Sequence, residues 1–238
     1  MSSYVIHKEV KNGYKLEILN DDCPMSPREW DNLGTMICFH RGYRLGDKHN
    51  YKEPESFLID IWESEATEQE KLDFILNTCK GNISQYREIL EHSYDRSINL
   101  LFETTVERIQ TVTDLPDSVI YLNLHAYEHG GITMNTSGFS CGRDSGQVGW
   151  IYVTKSKIES EGLKDKSKEQ ILEYLNNEVK TYAKYLEGDV YGFVVTKTNT
   201  CNSCHHTEDE ILESCWGFFG IDRALQEGRI LLELFTKE

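Results

Sequence analysis

Residues 129–153 read HGGITMNTSGFSCGRDSGQVGWIYV. A short apolar run, Ile132 to Thr136, and a longer aromatic and β-branched run, Val148 to Val153, flank a polar loop, the pattern of two strands with a turn between them. Gly130, Gly131, Gly138, Gly142, Gly146 and Gly149 all fall within these 25 residues. Glycine is entropically costly unless the backbone needs positive φ or the close approach of another group, so this density predicts a shaped loop. The loop carries one thiol, Cys141, one cation, Arg143, one carboxylate, Asp144, and one amide, Gln147. Asp144 and Gln147 are expected to be hydrogen-bonded and to organise the turn.

Outward from this stretch, helical and strand periods alternate in blocks. Upstream, Val119 to Tyr127 reads as a strand. Before it, from Pro54 to about Val112, the period is helical. Phe57, Leu58, Ile61 and Trp62 form one apolar stripe. Thr67 and Glu70 make a capping box that opens a second helix, with Leu72, Ile75, Leu76 and Cys79 expected inward and Gly81 as its stop. Ile83 to Val112 holds one or two more helices. Downstream, Ser167 and Gln170 form another capping box, for a long helix with the stripe Ile171, Leu175, Val179, Tyr182 and Leu186, ended by Gly188. Val190 to Thr196 is apolar on both faces and predicts a central strand. Ile211 to Phe219 predicts a further strand, and Ala224 to Phe235 a closing helix.

At the amino end, YVIHKEV and YKLEIL flank Lys11-Asn12-Gly13, which predicts a hairpin with a three-residue loop. Pairing Val10 with Tyr14 then puts Tyr4, Ile6, Val10, Leu16 and Ile18 on one face. Ser26-Pro27-Arg28-Glu29 starts a short helix. Met36 to Phe39 is a short buried strand, and the basic loop HRGYRLGDKH follows it. These blocks predict an α+β fold: a mixed, mostly antiparallel sheet with an inserted helical segment at about 54–112 and a long helix at about 168–187, all in one domain over 1–238.

The 238 residues carry a net charge of −15. That balance argues against direct nucleic-acid binding, which needs concentrated Lys and Arg, and against anionic membranes. No apolar run approaches the roughly 20 residues that span a bilayer. The N-terminus lacks the charged and apolar regions of a signal peptide. Seven cysteines, an odd number, read as reduced thiols, so a soluble cytoplasmic protein is expected.

Four constellations carry candidate chemistry. Cys201-Asn-Ser-Cys204-His205-His206, with Cys215 eleven residues on, offers ligands for one structural zinc: Cys201 and Cys204 with His206 and Cys215 to complete the set. Cys215 also suits simple burial in its strand. Cys141 with His125, His129 and Asp144 supplies the residue types of a thiol nucleophile, a base and an orienting carboxylate, without a protease signature around the thiol. His40, Asp47, His49, His125, Glu128 and His129 are metal-ligating types. However, His125 and His129 lie about 13 Å apart on an extended strand. Finally, Glu53 to Asp73 holds eight acids and one base, Lys71. Glu55, Glu63 and Glu65 are expected among those on its outer face, an anionic surface able to steer a basic partner, with Glu63, Glu65 and Glu68 as its candidate binding residues.

The blocks DNLGTMICFHRGYRLGD, SCGRDSGQVGWIYV, GDVYGFVV and ESCWGFFG resemble an uncharacterised family of proteins encoded by bacteriophages and Gram-positive bacteria. The resemblance implies a small accessory protein acting in a bacterial cytoplasm. Together with the acidic surface and the lack of a complete catalytic signature, it favours a phage or mobile-element factor that binds a bacterial host protein and modulates or inhibits it, as an anti-defence factor would. The binding candidates are Arg143, Asp144 and Gln147 of the loop and the acidic face. The alternative is a small hydrolase with Cys141, His129 and Asp144 as its site. A concave pocket joining residues 129–147 to 30–49 separates the two, because an enzyme needs one.

Overall fold

The computed structural model describes residues 4–92, 97–108, 110–200, 204 and 206–237. The chain opens with β1 (Val5–Lys11) and β2 (Tyr14–Asn20). Their turn has two residues, not three: Lys11 pairs with Tyr14, and Asn12 and Gly13 both take positive φ, 52° and 81°. Asn-Gly is the pair that favours this turn, whose twist matches that of the strands. The one-residue change of register turns β1 over. Leu16 and Ile18 are fully buried, but they face His7 and Glu9, and Val10 is 67% exposed. The expected common face with Tyr4, Ile6 and Val10 is therefore corrected.

A one-turn 3-10 helix (Pro27–Glu29) leads to β3 (Thr35–Cys38). Then come α1 (Pro54–Glu65), α2 (Glu68–Cys79), α3 (Ile83–His92) and α4 (Ile98–Arg108). Three strands follow: β4 (Ile120–Glu128), β5 (Ile132–Asn135) and β6 (Ser145–Val153). A short α5 (Lys155–Ser160), capped by the Thr154 hydroxyl, precedes α6 (Lys168–Glu187). The chain ends with β7 (Val190–Thr200), β8 (Thr207–Phe219) and α7 (Ile221–Phe235).

This is an α+β fold, but its strands form two sheets of four, not one, and every pairing is antiparallel. The first sheet has the order β3-β6-β4-β5, the second β1-β2-β7-β8. Alternation along the first sheet separates two cores. Met36, Leu124 and Ile151 pack on Ile171, Leu175 and Val179 of α6. Ile37 and Trp150 pack on the opposite side against Phe57, Ile75 and Phe102 of the helical segment. Each such fully buried side chain contributes about 1.5–3 kcal/mol. A third core lies between the second sheet and α7, with Leu16, Ile18, Phe193 and Val195 against Ala224 and Leu232. Gly149 lets β6 approach β3, since a Cβ there would stand 1.9 Å from the Ile37 carbonyl oxygen.

Both capping boxes form as the spacing requires, at Thr67/Glu70 and Ser167/Gln170, and Gly188 ends α6 in the left-handed conformation. The inner stripe of α2 differs from the expected one. Lys71, Ile75 and Cys79 are buried, whereas Leu76 is 50% exposed. Lys71 can be buried because its Nζ donates to the Glu63 carbonyl at 3.0 Å and to Asn99 Oδ1 at 2.8 Å.

Candidate functional site

A cavity of about 1060 Å³ opens where the loop after β3 folds back over α6. Its base is an ion-pair hub around the buried Arg28. Ser26 caps the one-turn helix and Pro27 starts it, which turns Arg28 inward. Arg28 grips Asp47 with two donors: Nε to Oδ1 at 2.8 Å and Nη2 to Oδ2 at 2.7 Å. Its Nη1 donates to Glu178 of α6 at 2.9 Å, and Nη2 also reaches the Gly34 carbonyl. The two carboxylates are further satisfied by backbone donors, Glu178 by Leu33 and Gly34 and Asp47 by Met36. Burial works against the Arg28 charge, but Asp47 and Glu178 outweigh it and hold its pKa above the usual value. The hub ties the one-turn helix, β3, the loop and α6 together.

Above this base the loop is shaped by its own backbone. His40 Nδ1 accepts from the amides of Gly42 and Tyr43, so the proton of a neutral His40 sits on Nε2, 3.7 Å from Glu128. Asp47 N donates to the Met36 carbonyl and Gly46 N to the Tyr182 hydroxyl. His49 Nε2 donates to the Cys38 carbonyl. The Cys38 thiol and the Tyr51 and Tyr182 phenols of the wall are held in their neutral forms. Burial pushes the Cys38 thiol up to about 12, and it raises Tyr182 as well. The bond to Asp60, with burial, pushes Tyr51 up to about 12. None of the three is an activated nucleophile at neutral pH. Arg41, Arg44, Lys48 and Lys52 line the same cavity. None of the predicted residues 129–147 does.

The glycine-rich loop does bring its chemistry together, in an order that does not suit a thiol nucleophile. The Cys141 thiol donates to Asp144 Oδ2 at 3.6 Å, and His129 Nδ1 lies 3.4 Å from the same oxygen. The carboxylate stands between thiol and imidazole, whereas activation needs the imidazole between the other two. His129 is 72% exposed at its side chain. Asp144 organises the turn through its carbonyl as well, which accepts from Glu128 N. Gln147 is a strand residue, paired with His125, and Arg143 is exposed. Gly130, Gly138 and Gly149 take positive φ as the composition predicts, while Gly131, Gly142 and Gly146 stand in open space.

The metal candidates are not gathered. Among the described residues no group of three or more His, Cys, Asp or Glu side chains is arranged to hold a metal ion. Cys201 and His205 lie outside the described residues, and Cys204 and His206 are exposed at the β7–β8 tip. Cys215 is exposed too, not buried, and is paired with Phe193. Eight residues of strand separate it from Thr207, about 26 Å, and the three residues back to Cys204 span only about 11 Å. Cys215 is thereby corrected out of the ligand set. Of the other candidates, Asp47 is held by Arg28, and His125 and His129 are kept apart by β4.

On the helical segment, Glu63 shares its face with Asp60 of α1 and with Glu103 and Glu107 of α4. Partial burial, then repulsion from Glu103 and Asp60, raises its pKa. Glu65 differs from the expectation: it is half-buried, and its charge acts on Tyr152. Glu68 is exposed in the first turn of α2. The residues missed from sequence are Arg28 and Glu178. Their signal, a Pro-Arg turn and one acid on the inner side of a long helix, becomes legible only once α6 is placed.

No family model, no curated protein and no solved structure matches the chain. Among the described residues no helix is long and apolar enough to cross a membrane.

Proposed function

We propose that the chain is a binding protein, an accessory factor of a phage or mobile element that docks on a bacterial host protein in the cytoplasm and modulates it as an anti-defence factor, in keeping with the sequence resemblance. The observation that carries this reading is Lys71. It is the one base in an acidic run, and it is 4% exposed with its ammonium turned inward. The outer face around Asp60, Glu63, Glu103 and Glu107 sets four carboxylates against Lys71, which offsets only part of their charge at Glu63, and the remaining negative excess suits a basic surface on the partner. The order of Cys141, Asp144 and His129, and their place outside the cavity at residues 26–52, weigh against the hydrolase alternative.

The test is capture of the host partner from lysate by the wild type and by Glu63→Lys/Glu107→Lys. Capture is expected to fall at least tenfold while the melting temperature holds. Equal capture by the double variant would end the reading. The structural zinc is kept in reduced form, on Cys201, Cys204 and His206, with His205 as the fourth candidate. Elemental analysis of protein prepared without chelator is expected to give about one zinc per chain, lost in Cys204→Ser; metal-free protein would refute it.

A further inference from the structure

We propose that the cavity over the Arg28 hub binds a nucleoside phosphate. Four cations, Arg41, Arg44, Lys48 and Lys52, come from twelve residues of one loop and line one cavity. None of them forms an ion pair with a described residue. The loop's own acid, Asp47, is neutralised by two bonds from Arg28. Glu29 at the rim is the other lining carboxylate, so cations outnumber the free acid there. Such local excess in a chain of net charge −15 marks the place where an anion is stabilised.

The size and the rest of the lining set the ligand class. About 1060 Å³ far exceeds what inorganic phosphate fills and matches the upper range of small-molecule sites. Tyr43, itself 40% exposed and set beside the His40 ring, and Tyr185, stacked on Tyr182, line the same cavity and add aromatic surface to it. A ligand with a charged end and a flat ring uses both cations and rings, by bidentate Arg–phosphate bonds at one end and stacking at the other. A long polyanion would be repelled by the acidic remainder of the surface, whereas a small one feels mainly the local field. The frame is built to hold this shape: the loop is fixed at Asp47 by Arg28 and at Gly46 by the Tyr182 hydroxyl.

The test is calorimetric titration of the full chain with ADP, adenosine, inorganic phosphate and a single-stranded ribo-oligonucleotide. ADP is expected to bind at micromolar level, at least tenfold tighter than adenosine or phosphate, and more weakly at high salt. Arg41→Ala/Arg44→Ala should weaken ADP at least tenfold with an unchanged melting temperature. Lys48→Glu/Lys52→Glu does the same from the other side of the loop and serves if the first pair folds poorly. No heat with ADP at millimolar concentration, or equal ADP binding by a folded double variant, would overturn the proposal. Tighter binding of the oligonucleotide than of ADP would overturn it in favour of a nucleic-acid site.

Discussion

The groove at residues 26–52 and the glycine-rich loop at 129–147 are equally rich in reactive residue types, yet they are built in opposite ways. Around Arg28, each carboxylate has backbone donors as well as the guanidinium, and the side chain of Arg28 is 5% exposed. Around Asp144, the thiol and the imidazole approach one carboxylate near the surface, outside the cavity of the first region. A site needs a supporting shell and a concave surface, and the first region has both. Residue types that lie close in sequence can meet in space and still lack the order that chemistry requires.

The largest expected effect breaks the supported side of this comparison. Arg28→Met leaves the half-buried Asp47 and Glu178 without their cation, and a loss of about 2–3 kcal/mol follows, below the cost of breaking a fully buried pair because water still reaches both carboxylates. Replacing Asp47 and Glu178 by Leu in the same chain is expected to recover only part of it. Those carboxylates also accept from the amides of Leu33, Gly34 and Met36, which would then be orphaned. Urea denaturation at neutral pH measures both. A loss below about 1 kcal/mol for Arg28→Met would show that the hub is an ordinary surface pair.

The same contrast explains what sequence could and could not yield. The helical insertion, the long α6 with both of its caps, and the central position of β7 were legible because period and capping are local signals. The hairpin register failed on one choice, a three-residue against a two-residue turn, and that choice inverts β1. The division into two sheets was not legible, since pairing partners such as β2 and β7 lie far apart in the chain. The inward Lys71 was missed because a lysine at a stripe position is read as surface; the Glu63 carbonyl and Asn99, on two other helices, make its burial tolerable. The hub was missed for the same reason, as Arg28 and Glu178 meet across 150 residues.

On the unsupported side, Asp144→Ala should cost less than about 1 kcal/mol, since its contacts are those of a surface pair. The same urea experiment reads it beside Arg28→Met. A loss equal to that of the hub would erase the distinction between the two regions. Loss of partner capture by Asp144→Ala, with stability intact, would move the binding site from the helical face to the loop.

The smallest effect sharpens the comparison on a pair of carboxylates seven residues apart. Glu70 is supplied with donors: Oε2 accepts from Thr67 N at 2.8 Å and Oε1 from Ser118 N at 2.7 Å. Partial burial opposes its charge, but these bonds prevail and lower its pKa. Glu63 has burial and neighbouring acids against it, and its pKa is raised. The signs in stability are therefore opposite. For Glu70 the folded value lies below the unfolded one, near 4.3, so its contribution is complete above that value and is lost as pH falls through the folded value. For Glu63 the folded value lies above it, so the charge costs stability at neutral pH, and the cost disappears as pH falls through the folded value towards the unfolded one. Glu70→Gln should destabilise at pH 7, because one amide oxygen cannot replace two carboxylate oxygens. Glu63→Gln should stabilise slightly at pH 7 and make no difference near pH 3. Denaturation of both variants at the two pH values tests this pairing. If Glu63→Gln destabilises at pH 7, the acidic face is held by cations after all, and its claim to be an unneutralised docking surface falls.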